Sequence, residues 1–267
     1  MTTTSAAKRP AIRRRVLIGL DLLGLPFAFG PGVAAWTAFF VALDHARAAD
    51  VLLPFLVAAP LALMAVFLSA LFLLRLLIPR PRPGRHPFAL SRDVLGWYLH
   101  LALSRAPKVS GLRYPLVALA TTRWLMLRAL GGRIAFTTNL SLEFTLVDLP
   151  LLEIGPGTTL GEHAYVGAHL FRGDLLILEP VRIGAGVFVG GRSTIGPGTV
   201  IDDGAWIGFG NNLAMDHIPA GARLRDCQWW FGSPARARKS GFVAFEAQTA
   251  EDLAAERAER AARESTP

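Results

Sequence analysis

"VRIGAGVFVGGRSTIGPGTVIDDGAWIGFGNNLA", residues 181–214, keeps a beat of six. Ile183, Val189, Ile195, Ile201, Ile207 and Leu213 follow one another at that interval, and the residue after each is Gly184, Gly190, Gly196, Asp202, Gly208 or Ala214. Four positions beyond the aliphatic residue stand small or β-branched side chains such as Val187, Ser193, Thr199 and Ala205. Upstream, Ile154, Leu160 and Val166 keep the same spacing, followed by Gly155, Gly161 and Gly167, with Thr158 and Ala164 in the small-residue position. Neither the 3.6-residue period of a helix nor the two-residue period of a strand gives this pattern. A solenoid does, and fixed internal periods are its signature. Each six-residue unit is then one flat face, and three faces close a triangular coil. The aliphatic side chain points to the axis and stacks on its equivalents, and the small neighbour lets the backbone turn the corner. Every backbone group pairs with the next coil, which leaves sheet edges only at the two ends.

The beat slips at "VGAHLFRGD", residues 166–174. Val166 and Ile177 both read as apolar coil positions, yet they stand eleven residues apart where the rhythm predicts twelve. The reading is a distorted coil with a short loop pushed out, carrying His169 and Arg172. Irregular loops on a regular scaffold are where functional groups concentrate. Imidazole titrates near neutral pH and suits a general base.

The repeat resembles the hexapeptide-repeat acyltransferases. The ending "IPAGARLRDCQWWFGSPARARK", residues 218–239, strengthens the likeness through its proline-glycine turn at 218–221 and its hydrophobic-Gly-x-Pro-Ala-basic segment at 231–236. More narrowly, residues 84–236 are similar to the membrane-bound C-terminal domains of ε-polylysine-synthetase-type non-ribosomal peptide synthetases. The stretches that carry this are "RPGRHPFALSRDVLGWYLH", "YPLVALATTRWLMLRALGGRI", "FTLVDLPLLEIGPGTTLGEHAYVG" and "HLFRGDLLILEPVRIGAGVFVG". Those synthetases also carry adenylation and carrier domains and several β-helices, whereas this chain has one β-helix and nothing that activates a substrate.

The resemblance implies a left-handed parallel β-helix and transfer of an acyl or aminoacyl group from a thioester to an amine or hydroxyl. Acyl-CoA or a phosphopantetheinyl thioester on a carrier protein would be the co-substrate, with no tightly bound cofactor. His169 matches the family's general base. Arg172 or backbone N–H groups would meet the charge developing on the carbonyl oxygen. Asp148, in "TLVDLP", resembles an acidic position of the synthetase-type domains; it could orient the histidine, bind a substrate amine or simply make a turn. His163, in "LGEHAY", reads as an outward surface residue that could assist. Asn211 and Asn212 interrupt the last coil, as an interior ladder or, for Asn212, as a substrate contact. His217 reads as structural, and Trp229 and Trp230 as packing or interfacial anchors. Because such enzymes build sites between neighbouring β-helices, a single helix implies a homotrimer. The alternative is a non-catalytic membrane scaffold that assembles with a separate synthetase.

The rest of the chain points to a bilayer. The 267 residues are 52% hydrophobic and only 18% charged, with a net charge of +8. Residues 51–74, "VLLPFLVAAPLALMAVFLSALFLL", carry no charge and are long enough to cross a hydrocarbon core. Residues 16–43 form a weaker span, interrupted by Asp21, Pro26 and the "GPG" at 30–32, and read as a bent or broken helix, partly re-entrant. Asp21 reads as an interfacial residue without chemistry. Basic residues flank the pair at 8–15 and 75–85, while the connecting "DHARAAD" holds one arginine against two aspartates. That arrangement predicts a hairpin with both ends in the cytoplasm, anchored in the inner membrane. The basic residues cluster beside apolar runs and form no long stripe, which disfavours nucleic acid. The lone Cys227 excludes an internal disulfide, no spacing suits a metal, and no phosphate loop is present.

The organisation that follows is a membrane hairpin over 1–79, a linker with amphipathic helices over 80–133, the β-helix with its closing segment over 134–239, and a surface helix and tail over 240–267. The linker helices are expected near 91–104 and 115–130, suited to the membrane surface or to packing against the following domain.

Overall fold

The computed structural model describes residues 8–224 together with the strand backbones at 229–231 and 236–237. Cys227, the side chains of Trp229 and Trp230, and the alternating-charge stretch from Ala250 lie outside the described residues. The chain divides into two compact units. One holds residues up to 136 with 147–152 and 168–180, and the other holds 137–146, 153–167 and the chain from 181 onward.

The first unit begins with helix α1, Lys8–Ala48, and helix α2, Leu52–Leu76. The expected break in the first span does not occur: α1 runs unbroken through Pro26 and Pro31. Each proline removes one ladder hydrogen bond, but the glycines around them serve another purpose. A Cβ on Gly24 would lie 3.1 Å from the Tyr98 ring, and one on Gly32 would lie 2.8 Å from Cβ of Ser110. Both residues therefore let helix α3, Arg92–Val109, approach closely. Trp36 Nε1 donates to the Ser110 carbonyl at 3.1 Å, and the Tyr98 hydroxyl donates to Asp21. Asp21 is thus held by a phenol. The loop between α1 and α2 is shorter than "DHARAAD" suggests, because Asp44 to Ala48 finish the helix and Asp50 makes the turn in a left-handed conformation. Both helices are long and apolar enough to cross a membrane, and Leu22, Val33, Leu53 and Val57 each stay more than 60% exposed.

Ser91 caps α3, accepting from the Val94 N–H at 3.3 Å, and Asp93 follows in the first turn, where it favours the helix dipole. This helix buries Val94, Trp97, Leu103 and Ala106, a core face within the unit. The second expected linker helix is divided at extended Leu119 into α4, Arg113–Ala118, and α5, Ala120–Ala129. Thr122 Oγ1 takes the Leu116 carbonyl at 2.7 Å, satisfying an acceptor that a continued helix would have used. Gly84–Pro87, Leu175–Leu178 and His169–Arg172 form a three-stranded antiparallel sheet in that order. Ile177 therefore holds no coil position. It pairs with Leu170 across a hairpin whose tip is Gly173, at φ +62°.

The second unit is a parallel β-helix with three faces. Ile183 pairs with Ile201, Val189 with Ile207 and Ile195 with Leu213, each 18 residues on, or three units of six. These side chains are at most 2% exposed and stack along the axis, each contributing about 1.5–3 kcal/mol of burial. The small residues at the interior corners bond across coils: Thr158 Oγ1 to the Gly184 carbonyl at 2.6 Å, and Ser193 Oγ to the Gly208 carbonyl at 3.0 Å. The glycine after each aliphatic residue answers a close approach. A Cβ on Gly190 would lie 2.6 Å from the Gly208 carbonyl carbon and the Phe209 nitrogen of the next coil. The left-handed corner turns fall elsewhere in the unit, at Gly186 and Gly204 for example, and His163, Arg192 and Met215 take the same conformation without being glycine.

Among the described residues, the register also locates the breaks in the rhythm. Leu146 pairs with Val166 across 20 residues, Val166 with Ile195 across 29, and Ile201 with Ile218 across 17. Against a coil of 18, these are two extra residues, eleven extra and one missing. Each irregularity falls between the same two faces, after strands 145–146, 165–166 and 212–214.

Candidate active site

Asp148 and His169 come from the first two of these irregularities. The two-residue insertion makes a short 3-10 turn, Leu149–Leu151, and Asp148 precedes it at φ +59°. That left-handed backbone is uncommon for a residue other than glycine and is best tolerated by Asp and Asn. It is fixed by what the side chain does. Asp148 is buried, and its carboxylate accepts three hydrogen bonds: Trp97 Nε1 to Oδ1 at 2.9 Å, the Ala168 N–H to Oδ2 at 2.9 Å, and His169 Nδ1 to Oδ2 at 2.6 Å. Indole and amide N–H groups can only donate, so the carboxylate acts as acceptor toward both. A carboxylate facing Nδ1 requires that nitrogen to carry the proton. Nε2 of His169 then presents its lone pair.

The eleven-residue insertion supplies the hairpin on which His169 rides. His169 begins the strand His169–Arg172, and its side chain is 19% exposed. The imidazole meets the Trp97 ring edge-on at 5.1 Å between centroids, with Phe171 6.3 Å away and itself against Trp97 at 5.6 Å and Phe88 at 5.3 Å. The aromatic walls restrict the ring's rotation, and Asp148 fixes its face. Among the described residues, Nε2 of His169 has no hydrogen-bond partner. Such a group can remove a proton from an incoming N–H or O–H.

The sequence-derived candidates divide cleanly. Asp148 and His169 are brought together, with the Asp148 carboxylate against Nδ1 and its backbone opening the turn. Arg172 lies at the exposed hairpin tip, and strand alternation puts it on the opposite side of its strand from His169. His163 is an exposed corner residue of the β-helix unit. In that same unit Asn211 is the interior one of the pair, with Nδ2 donating to the Gly208 carbonyl at 2.9 Å, while Asn212 is half-buried in its strand. His217 Nε2 meets Asp202 Oδ2 at 2.8 Å on the unit's surface.

Two residues of the site went unread in the sequence. Trp97 sits in "SRDVLGWYLH", where it reads as one more apolar helix residue; its role as donor depends on a partner 51 positions away. His100, one turn on, is 7% exposed and its Nδ1 has no hydrogen-bond partner. Burial, with the charges of Arg75 and Arg80 adding and that of Asp148 opposing, pushes its pKa down to about 4, so it is neutral at physiological pH. One signal was available: Leu146 and Ile154 are eight residues apart rather than six, a second slip adjoining Asp148.

No protein-family model matches the chain, and no curated protein matches it. Among solved structures it is similar to a maltose O-acetyltransferase from Clostridium difficile, at 20% identity over 45% of this chain and 75% of that one, with a TM-score of 0.34. A hexapeptide-repeat acetyltransferase from Vibrio cholerae follows, at 16% identity over 51% and 94% of the two chains and a TM-score of 0.29. A serine acetyltransferase from Neisseria gonorrhoeae shares 16% identity over 54% of this chain and 56% of that one, with a TM-score of 0.25. At these levels the likenesses carry no functional argument, and the case for chemistry rests on the side chains.

Proposed function

We propose that the protein is a membrane-anchored acyltransferase of the hexapeptide-repeat type, with a left-handed β-helix and with His169 as its general base. The observation that carries this reading is the 2.6 Å contact between His169 Nδ1 and a buried, triply bonded Asp148. With Nδ1 engaged by Asp148 and the ring held against Trp97 and Phe171, Nε2 is the nitrogen left to act as base. In the reaction, Nε2 takes the proton of an acceptor amine or hydroxyl as that group attacks the carbonyl carbon of a thioester. The tetrahedral adduct collapses with cleavage of the C–S bond, and the leaving thiolate takes the proton from the Nε2 imidazolium, which restores the neutral base. Imidazolium formed on the way is stabilised by Asp148. The donor thioester is acyl-CoA or a carrier-bound phosphopantetheine, as the resemblance to the synthetase-type domains suggests. The two apolar helices anchor the chain in the inner membrane with its remaining domains on the cytoplasmic side. By the same resemblance the chain works as a homotrimer.

The test is thioester-dependent transfer by the full-length protein in mild detergent, followed as thiol release from acetyl-CoA in the presence of amine and hydroxyl acceptors. His169→Ala is expected to lower the rate about 10²- to 10⁴-fold, the range supplied by a positioned base. Full activity in that variant would remove His169 from the chemistry.

A further inference from the structure

Three arginines of the first unit share a neighbourhood without any acidic partner. Arg75 stands in the last turn of α2, and Arg80 and Arg128 lie close enough for their charges to act on it. Asp93 is engaged by Arg82 and His86, Asp148 is occupied by its three donors, and none of the three arginines forms an ion pair among the described residues. Arg80 Nη2 reaches only the Pro150 carbonyl, at 3.3 Å, and Arg128 Nη1 only the Gly132 carbonyl, at 3.4 Å. Like charges gathered at one place repel, and an anion bound among them would relieve that repulsion.

The backbone is shaped around this cluster. Gly131 adopts φ +100°, and a Cβ there would lie 2.9 Å from Nε of Arg75 and 3.3 Å from Cγ of Pro150. The absence of a side chain makes room for the guanidinium. His100 feels the charges of both Arg75 and Arg80, is more than nine-tenths buried, and keeps Nδ1 without a partner. A neutral imidazole can offer that nitrogen as a donor. The turn Leu149–Leu151, which Arg80 contacts, is the one that Asp148 opens, and the charge of Asp148 is felt at His100.

We propose that Arg75, Arg80 and Arg128 bind a phosphate group carried by the acceptor. Assigning the phosphate to the acceptor rests on the acyl-transfer reading; the anion site itself does not. Guanidinium forks match phosphate oxygens in bidentate geometry, and the turn that Arg80 contacts is the one that Asp148 opens. The same chemistry can come from a lipid headgroup or from a soluble phosphate ester.

The experiment is a phosphorus NMR titration of the full-length protein in a neutral maltoside detergent, with inorganic phosphate in one arm and dihexanoyl phosphatidic acid in the other. The wild type is expected to bind in at least one arm, and both Arg75→Gln and the surface variant Arg128→Gln to bind at least about ten-fold more weakly, as loss of a charge-assisted bond predicts. Binding of the lipid alone identifies a headgroup, binding of phosphate alone a soluble ester, and binding of both a site that reads only the phosphate. Absence of binding in both arms, or undiminished binding by the variants, overturns the proposal. His169→Ala should bind as the wild type does. If transfer survives in His169→Ala while Arg75→Gln loses phosphate, the catalytic reading falls and the anion site stands.

Discussion

A carboxylate as buried as Asp148 needs hydrogen-bond donors in place of the water it has lost, and Trp97, Ala168 and His169 supply them. Asp148→Asn would place an amide N–H2 among donors. The amide also removes the charge that stabilises an imidazolium, so transfer should fall about 10- to 100-fold while the β-helix stays folded, as checked by steady-state rates alongside circular dichroism. Trp97→Phe removes one donor but keeps the aromatic wall, and should cost less than Asp148→Asn in the same assay. Asp216 presents the opposite case. It is 1% exposed, its Oδ2 accepts from the Ala214 N–H at 2.8 Å, and its Oδ1 has no partner. Burial raises its pKa from 3.8 to about 6, against the smaller opposing effect of that backbone bond. A carboxyl whose folded pKa is raised stabilises the fold fully below the unfolded value, and that stability is lost as pH rises through the folded one. Asp216→Asn should therefore be more stable than the wild type at pH 7, by about 3 kcal/mol. The gap should close by about pH 4, read from paired denaturant unfolding curves.

At the scale of elements, the breaks in rhythm separate scaffold from site. Removing residues 168–178 restores six-residue spacing between Val166 and Ile183. The shortened chain should keep its β-sheet circular dichroism and lose all transfer. Gly190→Ala tests the scaffold itself: the added Cβ would lie 2.6 Å from next-coil backbone, which cannot give way as a side chain tip can. A loss of about 1–3 kcal/mol in unfolding free energy is expected. The coils could be read from sequence because each position is defined by neighbours a fixed count away. Two features could not be read that way. The glycine-proline run of α1 looks like a helix breaker until α3 is seen against Gly24 and Gly32. Ile177 looks like a coil residue because an insertion of eleven falls one short of two units of six; only the antiparallel partner Leu170 shows that it left the coil.

For the whole molecule, the expectation of two ends in the cytoplasm and of a trimer follows from charge flanks and family resemblance. Mass measurement of the detergent-solubilised chain should give three copies, and a monomer that retains full transfer activity would remove the trimer from the account. Asp148 and His169 were both readable as candidates, but their pairing was not. It comes from two insertions leaving adjacent coils between the same two faces, which a single sequence shows only as two unrelated slips.

Nitrogen NMR of the full-length protein labelled at histidine, at a pH above the imidazole titration, reads the His169 ring directly. The account predicts a proton on Nδ1 and an unprotonated Nε2, with that preference lost in Asp148→Ala. A resting Nε2–H tautomer in the wild type would contradict it, because the nitrogen facing the substrate would then have no lone pair to accept a proton.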